Sequence, residues 1–165
     1  MSFMTEAFKP GNHHIKPKTR VPVNSVSGAA WSNPPLFAKP NGKDSPAQTI
    51  GIRYERRVEK ELSTIREDHG FILTSHRWIK FNEVYAQPDF ILSSLSKAAI
   101  LFEVKYTYTD TLAQREFYTR LLKELGFGPV ISCTICHNLT SLTPRDKIIH
   151  NFHEIEQDSI WQLRI

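Results

Sequence analysis

The sequence predicts an α/β domain preceded by a basic arm, and three observations carry that prediction. At 165 residues, with 40% hydrophobic and 23% charged residues, the chain has the size and composition of one ordinary globular domain with a real core. Helical and strand periodicities alternate from Gly51 onward, with no internal repeat at a solenoid period. The net charge of +4 lies wholly in the first fifty residues, where six Lys and Arg stand against Glu6 and Asp44; residues 51–165 hold fifteen of each sign.

Seven of the ten prolines also fall in that first stretch, among Lys, Asn, Ser and Gly without helical or strand period. Residues 1–48 therefore read as a flexible, basic, Pro-rich arm, and 49–165 as the folded domain. Such an arm gathers polyanions nonspecifically through counterion release, and serves equally well as an ordinary disordered leader. Trp31, Leu36 and Phe37 offer it docking groups, on the domain or on a partner. The longest apolar run, Ala98 to Phe102, is far too short to cross a bilayer, and Glu6 and Lys9 stand where a signal peptide needs an apolar run. A soluble, cytoplasmic protein with no membrane partner is expected. Two closely spaced cysteines, Cys133 and Cys136, make no disulfide scaffold and fit a reducing compartment.

Within the domain, residues 52–68 form a helix with Tyr54, Val58, Leu62 and Ile65 as its apolar stripe and Gly70 as its stop. Glu55 lies at the edge of that stripe. Phe71–Ile79 is β-rich, Asp89–Leu92 is a short strand after Pro88, and Ala99–Tyr106 is a strong strand. Ser93, Ser94 and Ser96 between the last two make a hairpin. A second helix runs from Thr111 to Leu125 with Leu112, Tyr118, Leu121, Leu122 and Leu125 inward, ended by Gly126. Val130–Cys136 is a buried strand, Pro144 opens a short third helix, and Ile160–Ile165 alternates like a closing edge strand. The order αβββαβ, with a tail, implies a central mixed sheet flanked by helices.

Chemistry enters where charges interrupt apolar runs. In the strand Ile100-Leu101-Phe102-Glu103-Val104-Lys105-Tyr106 the period of two puts Glu103 and Lys105 on one face and Val104 on the other. Burying either ion alone costs several kcal/mol, so the pair needs each other, a metal or a solvated cleft. A hairpin brings Asp89 alongside Glu103. Two carboxylates on adjacent strands make a hard oxygen site that suits Mg²⁺, and Mn²⁺ less selectively.

This arrangement resembles the PD-(D/E)xK nuclease superfamily, whose signature is matched by Pro88-Asp89, thirteen intervening residues, then Glu103-Val104-Lys105. Members similar to archaeal Holliday junction resolvases and to the nuclease modules of recombination exonucleases carry Gly-x-x-x-Glu on the first helix. Gly51-Ile-Arg-Tyr-Glu55, followed by Arg56 and then Gly70-Phe71, matches it, and Gln114-Arg-Glu-Phe-Tyr118 matches a Gln-x-x-x-Tyr found in some of them. The resemblance covers roughly residues 51–136. It implies a restriction-endonuclease-like core and a metal-dependent endonuclease that hydrolyses DNA phosphodiesters, on branched DNA if the resolvase likeness holds, acting as a homodimer. It further implies that Asp89, Glu103 and the Val104 carbonyl ligate the metal and that Glu55 ligates it or orients a water. Lys105 holds or activates that water, while Gln114 and Tyr118 support the site or touch DNA. Among basic residues, Arg53, Arg56, Arg57, Arg77, Lys80, Arg115 and Arg120 are candidates to track the backbone.

Each residue also has a plainer reading. Glu103 and Lys105 make an acceptable salt bridge on a solvated strand, Asp89 a turn residue, and Glu55 a solvated helix carboxylate flanked by Arg56 and Arg57. Thr111-x-x-Gln114 spells a capping box, and Tyr118 suits a core. A noncatalytic nucleic-acid-binding module on the same fold is the alternative function, although it gives no reason to keep Asp89, Glu103 and Lys105 together. Cys133-Thr-Ile-Cys136-His137 spells a c-type haem attachment pattern, a chemistry that requires export. Cys133 and Cys136 with His150 and His153 approach a zinc spacing, but thiols three apart on a straight strand face opposite ways, which leaves buried cysteines as the simpler account.

Overall fold

The computed structural model describes residues 28–36 and 45–165. The expectation of a flexible arm over the remaining positions, and the docking role of Phe37, lie outside the described residues. Inside them, Ala30–Ser32 forms a strand, β1, so part of the stretch assigned to the arm belongs to the fold. The first helix, α1 (Pro46–His69), also starts earlier than its apolar stripe suggests. Ser45 caps it: the Gln48 amide donates to Ser45 Oγ at 3.2 Å while the Ser45 amide donates to Gln48 Oε1 at 2.7 Å, with Pro46 at the first position. Gly70 ends it in the left-handed region (φ 69°), as expected.

The predicted strand over 71–79 is two strands in different sheets. Ile72–Ser75 (β2) joins the large sheet, His76 turns the chain at φ 49°, and Trp78–Phe81 (β3) pairs antiparallel with β1 and with Val84–Ala86 (β4) in a three-stranded sheet. The β-rich composition was legible; the break was not, because nothing in Ser75-His76-Arg77 is a glycine or proline.

Phe90–Ser93 (β5) and Ala99–Thr107 (β6) form the expected hairpin, with Phe90 opposite Phe102. Leu112–Glu124 (α2) then crosses to Val130–Asn138 (β7), which runs parallel to β6. Pro144 introduces only a 3₁₀ turn at Arg145–Lys147 instead of a third helix. The C-terminal strand, Ser159–Gln162 (β9), is not an edge: it lies between β7 and the two-residue strand Ile148–Ile149 (β8). The six-stranded order is β2-β5-β6-β7-β9-β8, a mixed sheet between helices.

Alternation along β6 assigns the two faces. Phe102 and Val104 pack with Tyr54, Val58, Leu62 and Ile65 of α1, while Ala99 and Leu101 pack with Phe117, Tyr118, Leu121 and Leu122 of α2 and with the small sheet. Leu112 is 40% exposed instead of inward; Arg115 takes the buried position and donates to Thr111 Oγ1 (2.9 Å), Ser132 Oγ (2.6 Å) and Asp158 Oδ1 (2.7 Å). Arg115, expected as one of the exposed basic residues, is therefore a buried, paired cation. No helix among the described residues is long and apolar enough to cross a membrane.

Candidate metal centre

The β5–β6 ladder stops at Phe90–Phe102, and the next position on β5's side is Asp89. Its carboxylate takes over from the backbone: the Val104 amide donates to Asp89 Oδ2 at 2.8 Å, and the Asp89 amide donates to Glu103 Oε1 at 3.3 Å. Asp89 and Glu103 are thus fixed side by side, as the hairpin predicted. Val104 meets the site through its N–H.

On the other side, the His76 amide donates to the Asp89 carbonyl at 2.9 Å, continuing the β2–β5 pairing by one residue. Gln87 Nε2 donates to the His76 carbonyl at 2.7 Å and holds the bend. The imidazole consequently projects between α1 and β5, with Nε2 2.9 Å from Glu55 Oε1 and 3.8 Å from Asp89 Oδ1. Glu55, His76 and Asp89 converge: one ligand atom from each lies within 4.8 Å of the others.

Electrostatics mark these groups as crowded. Burial, then the Asp89 charge and a hydrogen bond with Asp89, raise Glu103 well above the usual carboxylate range, against a smaller pull from Lys105. Burial and Asp89 likewise raise Glu55, opposed by His76. Burial by itself lowers the His76 imidazole, but the hydrogen bond from Glu55 and the charges of Asp89, Glu55 and Glu59 prevail and raise it. Three carboxyl groups crowd here around the His76 imidazole, with Lys105 acting more weakly on Glu103.

Lys105 is half-buried and makes no ion pair among the described residues, so the salt-bridge reading of Glu103 and Lys105 is not realised. Tyr118 is fully buried; its hydroxyl accepts from Gln114 Nε2 at 3.2 Å, and Glu103's charge, after burial, raises its pKa. The Thr111-x-x-Gln114 capping box does not form: Thr111 makes no side-chain cap, and Asp110 Oδ1 accepts from the Leu112 amide at 2.9 Å instead. Gln114 Nε2 instead reaches the Tyr118 hydroxyl. Arg53, Arg56 and Arg57 are exposed along α1, as are Arg77, Lys80 and Arg120 elsewhere. Cys133 and Cys136 are buried free thiols, each pushed up to about 11 first by burial, and they form no ligand cluster with His150 and His153.

His76 is the residue that sequence reasoning missed. Its signal lies in register: once β2 is paired to β5, His76 stands opposite Asp89, but that requires knowing that the 71–79 segment breaks.

The sequence matches no protein-family model and no curated protein. Among solved structures there is a weak likeness to one titled "Crystal Structure of Protein of Unknown Function AF1548", at 18% identity and a TM-score of 0.35, spanning 50% of this chain and 46% of that one.

Proposed function

We propose that the domain is a divalent-metal-dependent deoxyribonuclease with a restriction-endonuclease-like core of the PD-(D/E)xK type. The observation that carries the reading is the convergence of Glu55, His76 and Asp89 beside Glu103, with Lys105 on the same strand face. Structural carboxylates are solvated or paired with Lys and Arg; these are partly buried, mutually repelling, and answered by one histidine.

The donor set fits a divalent cation. Asp89, Glu55 and His76 would hold it, with Glu103 adjoining and the Val104 amide bonded to Asp89 Oδ2. An imidazole among the donors moves the preference from Mg²⁺, which favours oxygen alone, toward Mn²⁺, which accepts nitrogen as well. When bound, such an ion polarises a phosphodiester and lowers the pKa of water.

The chain's own residues supply the rest. In hydrolysis a water oxygen bonds to phosphorus, one P–O ester bond breaks, and the departing oxygen receives a proton. Lys105 Nζ offsets phosphate charge and holds the attacking water; as a compact ammonium it does so in a way arginine does not. Glu103 Oε1, tied to the Asp89 amide, keeps the two carboxylates in register. Tyr118 and Gln114 act as positioning residues beneath Glu103. Exposed Arg53, Arg56 and Arg57 on α1 offer contacts to the DNA backbone.

The test is cleavage of end-labelled single-stranded, duplex, flapped and four-way-junction DNA with Mn²⁺ or Mg²⁺, comparing wild type with Asp89→Asn and Lys105→Ala. Metal-dependent cutting that both substitutions reduce at least a hundredfold is expected. DNA binding without any cutting in either metal overturns the reading in favour of a noncatalytic binding module, and preference for the junction identifies a resolvase-like substrate.

A further inference from the structure

His76 has a second surface. Besides facing the metal centre, it lines an open cleft of about 450 Å³ formed by Ser32 at the end of β1 and Pro34 beyond it, by Thr74 and Ser75 on β2, and by Arg77. We infer that this cleft receives an unpaired DNA strand and leads it to the Glu55–His76–Asp89 centre, so that the preferred substrate is single-stranded or frayed DNA. This inference rests on the nuclease reading and names its substrate class.

Four observations support it. First, the cleft and the centre share His76, so a phosphodiester held at the centre leaves its neighbouring nucleotide in the cleft. Second, the cleft's volume is within the range of small-ligand pockets and has room for a nucleotide unit. Third, the Arg77 guanidinium sits over the Trp31 ring, its Cζ 4.3 Å from the centroid, and Arg77 is exposed and makes no ion pair among the described residues. A guanidinium held over a ring in this way presents a planar cation on which a base can stack and to which a phosphate can bond. Fourth, the lining residues include Arg77, His76 and three hydroxyl side chains but no Asp or Glu. The wall at Thr74 and Ser75 belongs to β2, which is a sheet edge, so backbone groups on that side are directed away from β5. Stacking together with a cationic, hydroxyl-bearing wall is the chemistry of single-strand recognition, tolerant of sequence. An acidic or apolar peptide adding to the β2 edge has no use for the continuity with His76.

The experiment uses the full chain carrying Glu103→Gln, so that binding is read without cutting, and the same protein with Arg77→Gln added. A fluorescein-labelled oligonucleotide is titrated by anisotropy in Mn²⁺, single-stranded and as its blunt duplex, with tryptophan emission followed in parallel. Tighter binding of the single strand, weakened about tenfold by Arg77→Gln, the order of a lost stacking contact, is expected. The duplex should change less than twofold, and the single strand alone should quench tryptophan emission. Equal affinity for both forms, or an equal loss on both, overturns the cleft assignment. Cleavage by the wild-type chain separates the two claims. Metal-dependent cutting of duplex unaffected by Arg77→Gln sinks the cleft and leaves the nuclease standing. Arg77-dependent single-strand binding with no cutting in Mn²⁺ or Mg²⁺ sinks the nuclease and leaves the cleft.

Discussion

Replacing Glu103 with glutamine should make the metal-free protein more stable while abolishing its proposed activity. Glu103 is 1% exposed, and burial followed by Asp89 raises its carboxyl well above its ordinary 4.5. A group whose folded pKa exceeds its unfolded value binds its proton more tightly when folded. Its contribution is therefore complete below the unfolded value and is lost as pH rises toward the folded value, at about 1.4 kcal/mol per pH unit for one proton. Glutamine is isosteric, keeps an Oε1 to accept from the Asp89 amide, and adds an amide donor beside the Asp89 carboxylate. The charge alone is removed. Removing a group whose ionised form burial disfavours is worth about 1–3 kcal/mol near neutral pH, or a rise in Tm of about 3–10 °C for a domain of this size. Thermal melts in EDTA at intervals from pH 5 to 8.5 measure it. The variant should melt higher at pH 8 and show a shallower fall with pH than wild type. A variant that is less stable than wild type by a similar amount, or one with an unchanged pH slope, refutes the claim that burial disfavours the ionised form of Glu103.

Added Mn²⁺ should reverse the pH trend, because ligation needs Glu55 and Asp89 ionised and His76 neutral: the rise in Tm on adding metal should be larger at pH 8 than at pH 6 and absent in Asp89→Asn, as differential scanning fluorimetry reads directly. Asp158→Asn leaves the buried Arg115 cation without its carboxylate while keeping a residue that tolerates the left-handed φ of 64° at that position, and should cost about 2–3 kcal/mol in denaturant unfolding; a loss under 0.5 kcal/mol contradicts the structural role of Arg115. Ser45→Ala removes a side-chain cap and should cost about 1 kcal/mol by the same assay, which fails if α1 frays at Pro46 without penalty. Tyr118→Phe should lower turnover several-fold with little change in substrate affinity, the pattern of a group that positions Glu103; a matching loss of affinity places Tyr118 in direct contact with DNA.

The parts of the fold that were legible are those in which local pattern and tertiary environment agree. Val58, Leu62 and Ile65 repeat at helical spacing because one stripe of α1 is buried, and Glu103 and Lys105 stand out because β6 is apolar on both sides of them. Asp89 followed from the same hairpin. Misreadings arose where distant contacts decide. β1 exists because β3 offers it an edge, and nothing in Ala30-Trp31-Ser32 announces a strand by itself. Arg115 reads as a surface cation until Asp158, forty-three positions away, is brought to it. Ile160–Ile165 alternates like an edge strand, yet β8, too short to show a period, covers it. His76 was hidden for the same reason: its importance comes from standing across the sheet from Asp89 and beneath Glu55, a relation between three elements that no single stretch of sequence encodes.

The central claim, that Glu55, His76 and Asp89 form one metal centre, is tested most directly by Mn²⁺ binding followed by electron paramagnetic resonance. The account predicts one Mn²⁺ per chain with a nitrogen hyperfine coupling that disappears in His76→Gln, and loss of the site in Asp89→Asn. Failure to bind Mn²⁺, or binding with no nitrogen coupling that both substitutions leave unchanged, contradicts it.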